Sequence, residues 1–202
     1  MGRVTDDPTQ RPPAEFRALL ARVRASDPSA ARELVGAYGP ALQREVRGRL
    51  ADPRLGRTVG ENDVVQAVLG NFFVRVALGQ YDLEGPEDLL KLWAVMARNK
   101  VTSSARKRDV ARDGEPFAEG ASVDVSPSEP SPVALANLAK LAVEARGRLA
   151  PELLQVVTLR EEGLSWTEVG QRVGGSPGAL RKRLTRVLDD LVESLGVGEG
   201  RW

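Results

Sequence analysis

The sequence contains no cysteine and no histidine among its 202 residues. These two absences exclude a disulfide, a zinc site built from thiolate or imidazole ligands, and catalysis by a Cys/His or Ser/His/Asp constellation. Carboxylate pairs remain possible, but the acidic residues are scattered among basic residues along the chain. We therefore expect a protein that binds no metal or cofactor and is not an enzyme.

Aromatic residues make up only 4 % of the chain, and few stretches alternate apolar and polar residues as strands do. No run of about 18 apolar residues is present, so no membrane insertion is expected. Residues 1–13 contain no apolar segment of the secretory type, which predicts a cytoplasmic protein with a short disordered leader. The spacing of the remaining apolar residues predicts an all-α fold.

A segment rich in Pro, Ser, Gly and acidic residues, 113–132, lacks helical periodicity and is predicted to be a flexible linker. It separates a predicted N-terminal helical domain, 14–112, from a C-terminal one, 133–196. The net charge is only +1, but six basic residues and one acid lie within 98–112, and five basic residues and no acid within 169–188. Two local basic patches indicate two separate contacts with a polyanion.

Two helices of the N-terminal domain have recognisable starts. Asn62 is predicted to cap one helix, and Pro86 is predicted to occupy the first position of the next. The residues expected to face inward from these two helices are Val65, Val68, Phe72, Val76, Leu89, Trp93 and Met96.

The C-terminal domain contains the pattern of a helix-turn-helix. Ser165 and Glu168 match a capping box at the start of a short helix, which the glycines at 174–175 are predicted to end. Ser176 is predicted to cap the following helix, with Pro177 at its first position. Two helices joined by a tight glycine turn, the second of them basic, are typical of DNA-binding domains.

The final helix separates apolar and basic residues. One face is expected to pack inward through Leu180, Leu184, Val187, Leu188 and Leu191. The residues expected to contact DNA are Ser176, Gly178, Ala179, Arg181, Lys182, Arg183, Thr185 and Arg186. Acids follow only from Asp189 onward, away from a groove entered by the N-terminal end of the helix. A solvated amphipathic helix is the alternative explanation of the charge pattern alone.

This C-terminal stretch resembles region four of the sigma factors of bacterial RNA polymerase. The resemblance is carried by Leu149-Ala150-Pro151, by Gly163-Leu164-Ser165 and by the start of the basic helix, Ser176-Pro177-Gly178-Ala179-Leu180-Arg181. It implies a domain that recognises the upstream (−35) promoter element in the major groove and contacts the β flap of the polymerase.

The N-terminal part is similar to region two of the same family. Asp63-Val64-Val65-Gln66 matches the helix that docks on the β′ clamp helices, so Asp63, Val64 and Gln66 are expected to bind core polymerase. The stretch LWAVMARNKVTSSARKR matches the helix that holds the melted −10 strand. The residues implied at this second DNA site are Tyr81, Asp82, Asn99, Lys100, Arg106, Lys107 and Arg108, with Tyr81 stacking on a flipped base.

Two domains in this order, with no other sigma region, indicate the extracytoplasmic-function (ECF) type. The resemblance implies a sigma factor that directs core RNA polymerase to promoters and aids melting, with an anti-sigma protein as a further partner. The sequence departs from the usual docking motif at Ala67-Val68-Leu69, which lacks an acid and an aromatic residue. The alternatives are a stand-alone helix-turn-helix repressor or activator, and an interaction module that no longer binds DNA.

Overall fold

The computed structural model of the chain describes residues 10–51, 60–112 and 132–197. Side chains at 107–112, 132 and 135 are outside this description, as are the predicted leader up to residue 9 and the predicted linker from 113 to 131. Every regular element within the described ranges is helical, which confirms the all-α prediction.

We call the four described helices before residue 113 the N-terminal unit and the four after residue 131 the C-terminal unit. Their bounds are α1 Pro13–Arg24, α2 Pro28–Leu50, α3 Glu61–Ala77, α4 Pro86–Arg112, α5 Pro132–Gly147, α6 Pro151–Glu161, α7 Trp166–Val173 and α8 Pro177–Ser194.

Six of these eight helices begin with proline. Proline suits a first helical position because its fixed φ matches the helix and the missing N–H would have had no partner there. The exceptions are α3 and α7. Contrary to the sequence-based expectation, Asn62 does not cap α3: Gly60 is the N-cap and Glu61 the first residue. Both carboxylate oxygens of Glu61 accept hydrogen bonds from Arg47, which fixes the start of α3 against the end of α2.

The core of the N-terminal unit is built around α3. This helix is buried on nearly all sides, and Phe72 packs edge-on against Trp93 of α4 with ring centroids 5.4 Å apart. Phe16 of α1 meets Tyr38 of α2 in the same manner at 6.0 Å. Trp93 is only 1 % exposed, which confirms its predicted core role and leaves no indole surface for DNA.

The core of the C-terminal unit lies between α6, α7 and α8. Val157, Val169, Leu184 and Leu188 are fully buried there, and Trp166 is nearly so. Burying apolar side chains on two short helices and one long helix orients α7 and α8 relative to each other. The apolar face predicted for α8 is therefore the face that attaches it to the unit.

The two cores meet along α3 and α5. Val74 and Leu78, at the end of α3, belong to the core of the C-terminal unit. Conversely, Leu138 of α5 is buried in the core of the N-terminal unit, while Ala145 of the same helix is buried in the other. The described parts of the chain thus form a closed arrangement in which the units pack on each other.

Candidate nucleic-acid interface

The helix-turn-helix predicted from the sequence is present in the C-terminal unit. The Ser165 backbone N–H donates to the Glu168 carboxylate at 2.7 Å, and the Glu168 N–H donates to the Ser165 hydroxyl at 3.3 Å. This reciprocal pair is the predicted capping box at the start of α7. The same contacts lower the pKa of Glu168, because the Ser165 backbone N–H and hydroxyl stabilise its ionised form.

The turn between α7 and α8 depends on glycine. Gly174 and Gly175 have φ angles of +79° and +114°, a region that residues with a side chain rarely adopt. Sequence reasoning missed Gly170 of α7, where a Cβ would lie 2.8 Å from the carbonyl oxygen of Gly175. A glycine inside a short helix signals such a close backbone approach, and here it lets the turn pack directly on α7.

The second helix, α8, exposes its basic side chains to solvent. The Ser176 hydroxyl accepts from the Ala179 N–H at 3.2 Å, so the predicted cap is present. Leu184 and Leu188 are fully buried on the inner face. Exposed residues from the predicted DNA contact are Ser176, Gly178, Ala179, Arg181, Lys182, Arg183 and Arg186. This is a basic, solvent-facing surface of the kind that binds phosphates and base edges.

Thr185 differs from the other predicted contacts on α8. It is half-buried, and its hydroxyl donates to the carbonyl oxygen of Arg181 at 2.8 Å and accepts from the Gln80 amide at 3.2 Å. Gln80 belongs to the segment that follows α3 in the N-terminal unit. The flank of α8 that carries Thr185 therefore faces the other unit.

The predicted polymerase-docking residues lie in the first two turns of α3. Asp63 is exposed and Gln66 is half-buried. Val64 is fully buried, so its side chain packs inside the unit and offers no surface in this arrangement. The accessible part of the predicted docking site consists of Asp63 and Gln66.

Tyr81 lies in the segment between α3 and α4 and is half-buried. Its ring stacks parallel to Phe72 with centroids 6.3 Å apart, and Arg24 of α1 donates to its carbonyl oxygen at 2.8 Å. Burial raises the pKa of the Tyr81 hydroxyl above its ordinary value. The ring that the sequence assigned to base stacking is thus held in place by an aromatic neighbour.

A cleft of about 520 Å³ runs between α3, α4 and α8. Tyr81, Asn99 and Lys100 all line it, so three of the predicted strand-binding residues come together. Asp82 is not among its walls. Arg106 is exposed further along α4, and the side chains of Lys107 and Arg108 lie outside the described residues.

Sequence reasoning missed the residues that hold Tyr81 and Asp82 in place. Arg75, Gln80 and Arg160 are the buried polar or charged residues of the described chain, at 6 %, 5 % and 4 % exposure. The sequence does contain a signal for Arg75, because this arginine lies within the apolar run FFVRVAL. A charge in such a position is buried only when it is paired, which implies a partner elsewhere in the chain.

The described residues contain no group of three or more His, Cys, Asp or Glu side chains placed to hold a metal ion. Within the same ranges, no helix combines the length and the apolar character needed to cross a bilayer. The site combines the exposed basic residues of α8 with a cleft lined by aromatic, amide, basic and acidic side chains.

A helix-turn-helix with an exposed basic helix, in a chain whose described residues are otherwise helical, loop or turn, is typical of a DNA-binding transcription protein. The pattern of the ECF sigma factor family matches residues 13–192, nearly the whole chain, and the chain belongs to that family. It is a transcription initiation factor that binds RNA polymerase and DNA. No curated protein and no solved structure matches it.

Proposed function

We propose that this sigma factor works in the cytoplasm, docks on the β′ clamp helices of core RNA polymerase through the start of α3, and recognises the −35 element through α8. The C-terminal unit also contacts the β flap in this proposal. The chain itself performs no bond chemistry. An anti-sigma protein is proposed as its regulator on the strength of the family alone.

The observation that carries the −35 assignment is the division of α8 into two faces. Leu184 and Leu188 pack the helix on its unit, and the four basic residues within 181–186 are exposed to solvent. The first turn carries Gly178, which has no side chain, and Ala179, which has only a methyl group, so the helix can approach a groove closely. This is the geometry of a recognition helix, which contacts base edges through its N-terminal residues.

The −10 assignment is supported by the cleft beside α4. The aromatic ring of Tyr81, the amide of Asn99 and the basic side chain of Lys100 all line this one cleft, which is large enough to hold a ligand. Extruding a base from the duplex costs a few kcal/mol, and stacking on an aromatic ring with basic surroundings offsets that cost. We propose that Tyr81 and the α4 wall of this cleft bind the melted non-template strand and so aid promoter opening.

The polymerase-docking assignment is tested by co-elution of the purified chain with bacterial core RNA polymerase on gel filtration. The test variant is Asp63→Arg/Gln66→Ala. The matched control is Glu152→Arg, which reverses an exposed acid in the first turn of α6 and so imposes a similar helix-dipole change elsewhere. We expect the control to co-elute like the unaltered chain and the double variant to elute alone.

Two results would contradict the proposal. Equal loss of co-elution in both variants would show that general destabilisation, not docking, is the cause. Failure of the unaltered chain to associate with core polymerase at low salt, together with specific binding to duplex DNA by the chain alone, would favour the stand-alone regulator.

A further inference from the structure

The segment between α3 and α4 is held in place by the first helix of the chain. Arg24 is the last residue of α1, and its Nη2 donates a hydrogen bond to the carbonyl oxygen of Tyr81 at 2.8 Å. This contact joins positions 57 residues apart and lies entirely within the N-terminal unit. None of the residues proposed to bind polymerase or DNA lies on α1.

The hydrogen bond from Arg24 fixes more than one carbonyl group. The oxygen of Tyr81 and the N–H of Asp82 belong to the same planar trans peptide, and they point to opposite sides of it. A guanidinium that holds the oxygen therefore also sets the direction of the Asp82 N–H. This N–H has no backbone acceptor among the described residues, so it is a candidate donor to the edge of a base.

Other contacts within the N-terminal unit anchor the segment on both sides of this peptide. The Tyr81 ring stacks on an aromatic residue of α3, with ring centroids 6.3 Å apart. Leu83 is buried in the core of the unit, and the Glu84 N–H donates to the Asp88 carboxylate of α4 at 3.0 Å. The contact from Arg24 orients the peptide group that lies between these anchors.

The position of Arg24 is not favourable for stability. The residue is half-buried, and its Nε is a buried donor without a hydrogen-bond partner among the described residues. Burial lowers the pKa of Arg24 and the nearby charge of Arg160 acts in the same direction, while Asp82 and Glu84 raise it. A buried donor without a partner destabilises a fold by its desolvation. Stability alone therefore does not account for an arginine at this position.

We infer that Arg24 is a positioning residue for promoter recognition, which acts through the Tyr81 carbonyl oxygen to orient the Tyr81 ring and the Asp82 N–H toward one base of the melted strand. Arg24 itself does not touch DNA in this role. A site that reads a base needs its groups held within about 0.5 Å of the productive geometry, and a fixed peptide meets that need. The inference rests on the proposed binding of the non-template strand by Tyr81 and α4.

Arg17 provides a contrast on the same helix. It lies about two turns before Arg24 and forms an ion pair with the Glu84 carboxylate at 3.0 Å. Both side chains of this pair are largely exposed, so the pair contributes little to the order of the segment. Loss of Arg17 therefore removes the same charge from the same helix without releasing the peptide next to Tyr81.

Four variants of the full chain test this role. Arg24→Met keeps an unbranched side chain but no donor, whereas Arg24→Lys keeps both the charge and a donor. Arg17→Met is the matched control, and Tyr81→Ala removes the ring itself. Each variant is combined with core polymerase on fragmented bacterial genomic DNA, and RNA 5′ ends are sequenced. The base preference at each position of the −10 and −35 blocks shared by the start sites is then compared.

We expect Arg24→Met to lower the preference for one base of the −10 block at least about fivefold, which is the lower end of the cost of one mismatched position. The preferences of the −35 block are expected to stay unchanged. Tyr81→Ala is expected to lower the preference at the same −10 position, and Arg24→Lys to give an intermediate preference because it has a single donor group. Arg17→Met is expected to match the unaltered chain. Urea unfolding identifies the variants that are folded.

An unchanged −10 preference in every folded Arg24 variant, alongside a loss in Tyr81→Ala, would overturn the role of Arg24 and leave the strand-binding assignment standing. An equal loss in both promoter blocks would also overturn it, because a purely structural defect has that effect. An unchanged preference in Tyr81→Ala would contradict the strand-binding assignment itself. The failure of the inference and the failure of the proposed function are therefore distinguishable.

Discussion

The guanidinium of Arg160 and the carbonyl oxygen of Gly79 are joined by a hydrogen bond of 2.9 Å, although 81 residues separate them in the sequence. The contact is close because Gly79 has no side chain: a Cβ there would lie 2.6 Å from the Cβ of Arg160. Gly79 also has a φ of +68°. One glycine thus serves both the turn after α3 and the contact between the units.

Substitution of Gly79 is predicted to open the closed state. Gly79→Ala forces a residue with a side chain into the positive-φ region, at a cost of about 1–2 kcal/mol, and also drives a methyl group into Arg160. Gly163→Ala is the control, because Gly163 has a φ of +90° but open space around it. We expect a larger open population in Gly79→Ala than in Gly163→Ala. Double electron–electron resonance between spin labels at Arg44→Cys of α2 and Gln171→Cys of α7, two exposed sites in a chain without native cysteine, measures it. Equal distributions would show that the close approach does not limit closure.

Within the helix-turn-helix, two glycine substitutions are predicted to change the free energy of unfolding in opposite directions. Gly170→Ala places a methyl group 2.8 Å from the Gly175 carbonyl oxygen and is expected to lower the free energy of unfolding by about 1–3 kcal/mol. Gly178→Ala, in the first turn of α8 with open space around it, is expected to raise it by about 0.5–1 kcal/mol. Urea unfolding followed by tryptophan fluorescence measures both. Stabilisation by Gly170→Ala would contradict the packing described for the turn.

The capping box is predicted to make stability depend on acid pH. Hydrogen bonds from Ser165 lower the pKa of Glu168 below its ordinary value of 4.5. A group whose pKa is lower in the folded state stabilises the fold above its unfolded pKa, and that contribution is lost as pH falls through the folded pKa. The pKa of Asp27 is likewise lowered from its ordinary value of 3.8, because the Ser29 N–H and Arg22 stabilise its carboxylate. Its contribution to stability is therefore also lost in acid.

The measurement is urea unfolding across the range from pH 6 down to pH 3, about the span in which carboxylates titrate. Glu168→Gln is expected to be less stable than the unaltered chain near neutral pH, with the difference shrinking as the pH falls. A constant difference throughout the range would mean that ionisation of Glu168 does not stabilise α7.

Each exposed basic residue of α8 is predicted to contribute individually to the salt dependence of duplex binding. Each phosphate contact removed makes the negative slope of log K against log salt shallower by about 0.9. Arg183→Ala and Arg186→Ala are each expected to show this change, while Lys140→Ala, which removes one exposed positive charge from α5, leaves the slope unchanged. Fluorescence anisotropy with a labelled duplex at several salt concentrations measures it. A full effect from Lys140→Ala would show that only the overall charge matters.

Local features of the fold were predictable because their signals are short-range. Ser165 and Glu168 are three residues apart, and Ser176 lies next to the helix it caps, so the helix-turn-helix followed directly from the sequence. The choice of Asn62 over Gly60 as a cap was wrong, because glycine can also occupy an N-cap and the ion pair that anchors Glu61 involves a distant residue, Arg47.

The ion pairs between the two units were not predictable from the sequence. They join positions 78 and 114 residues apart, and no periodicity relates Asp82 to Arg160 or Arg75 to Asp189. The apolar stripe of α3 correctly predicted a buried helix, but not that Val74 and Leu78 are buried in the other core. Contacts of this kind depend on how the units pack, which the local pattern does not encode.

As a sigma factor, this chain is expected to confer promoter specificity on RNA polymerase. The most direct measurement is transcription in vitro from fragmented bacterial genomic DNA by core polymerase with and without the chain, with sequencing of RNA 5′ ends. We expect new start sites that share two short upstream sequence blocks, and we expect Asp63→Arg/Gln66→Ala to abolish them. Start sites unchanged by the chain would contradict this expectation.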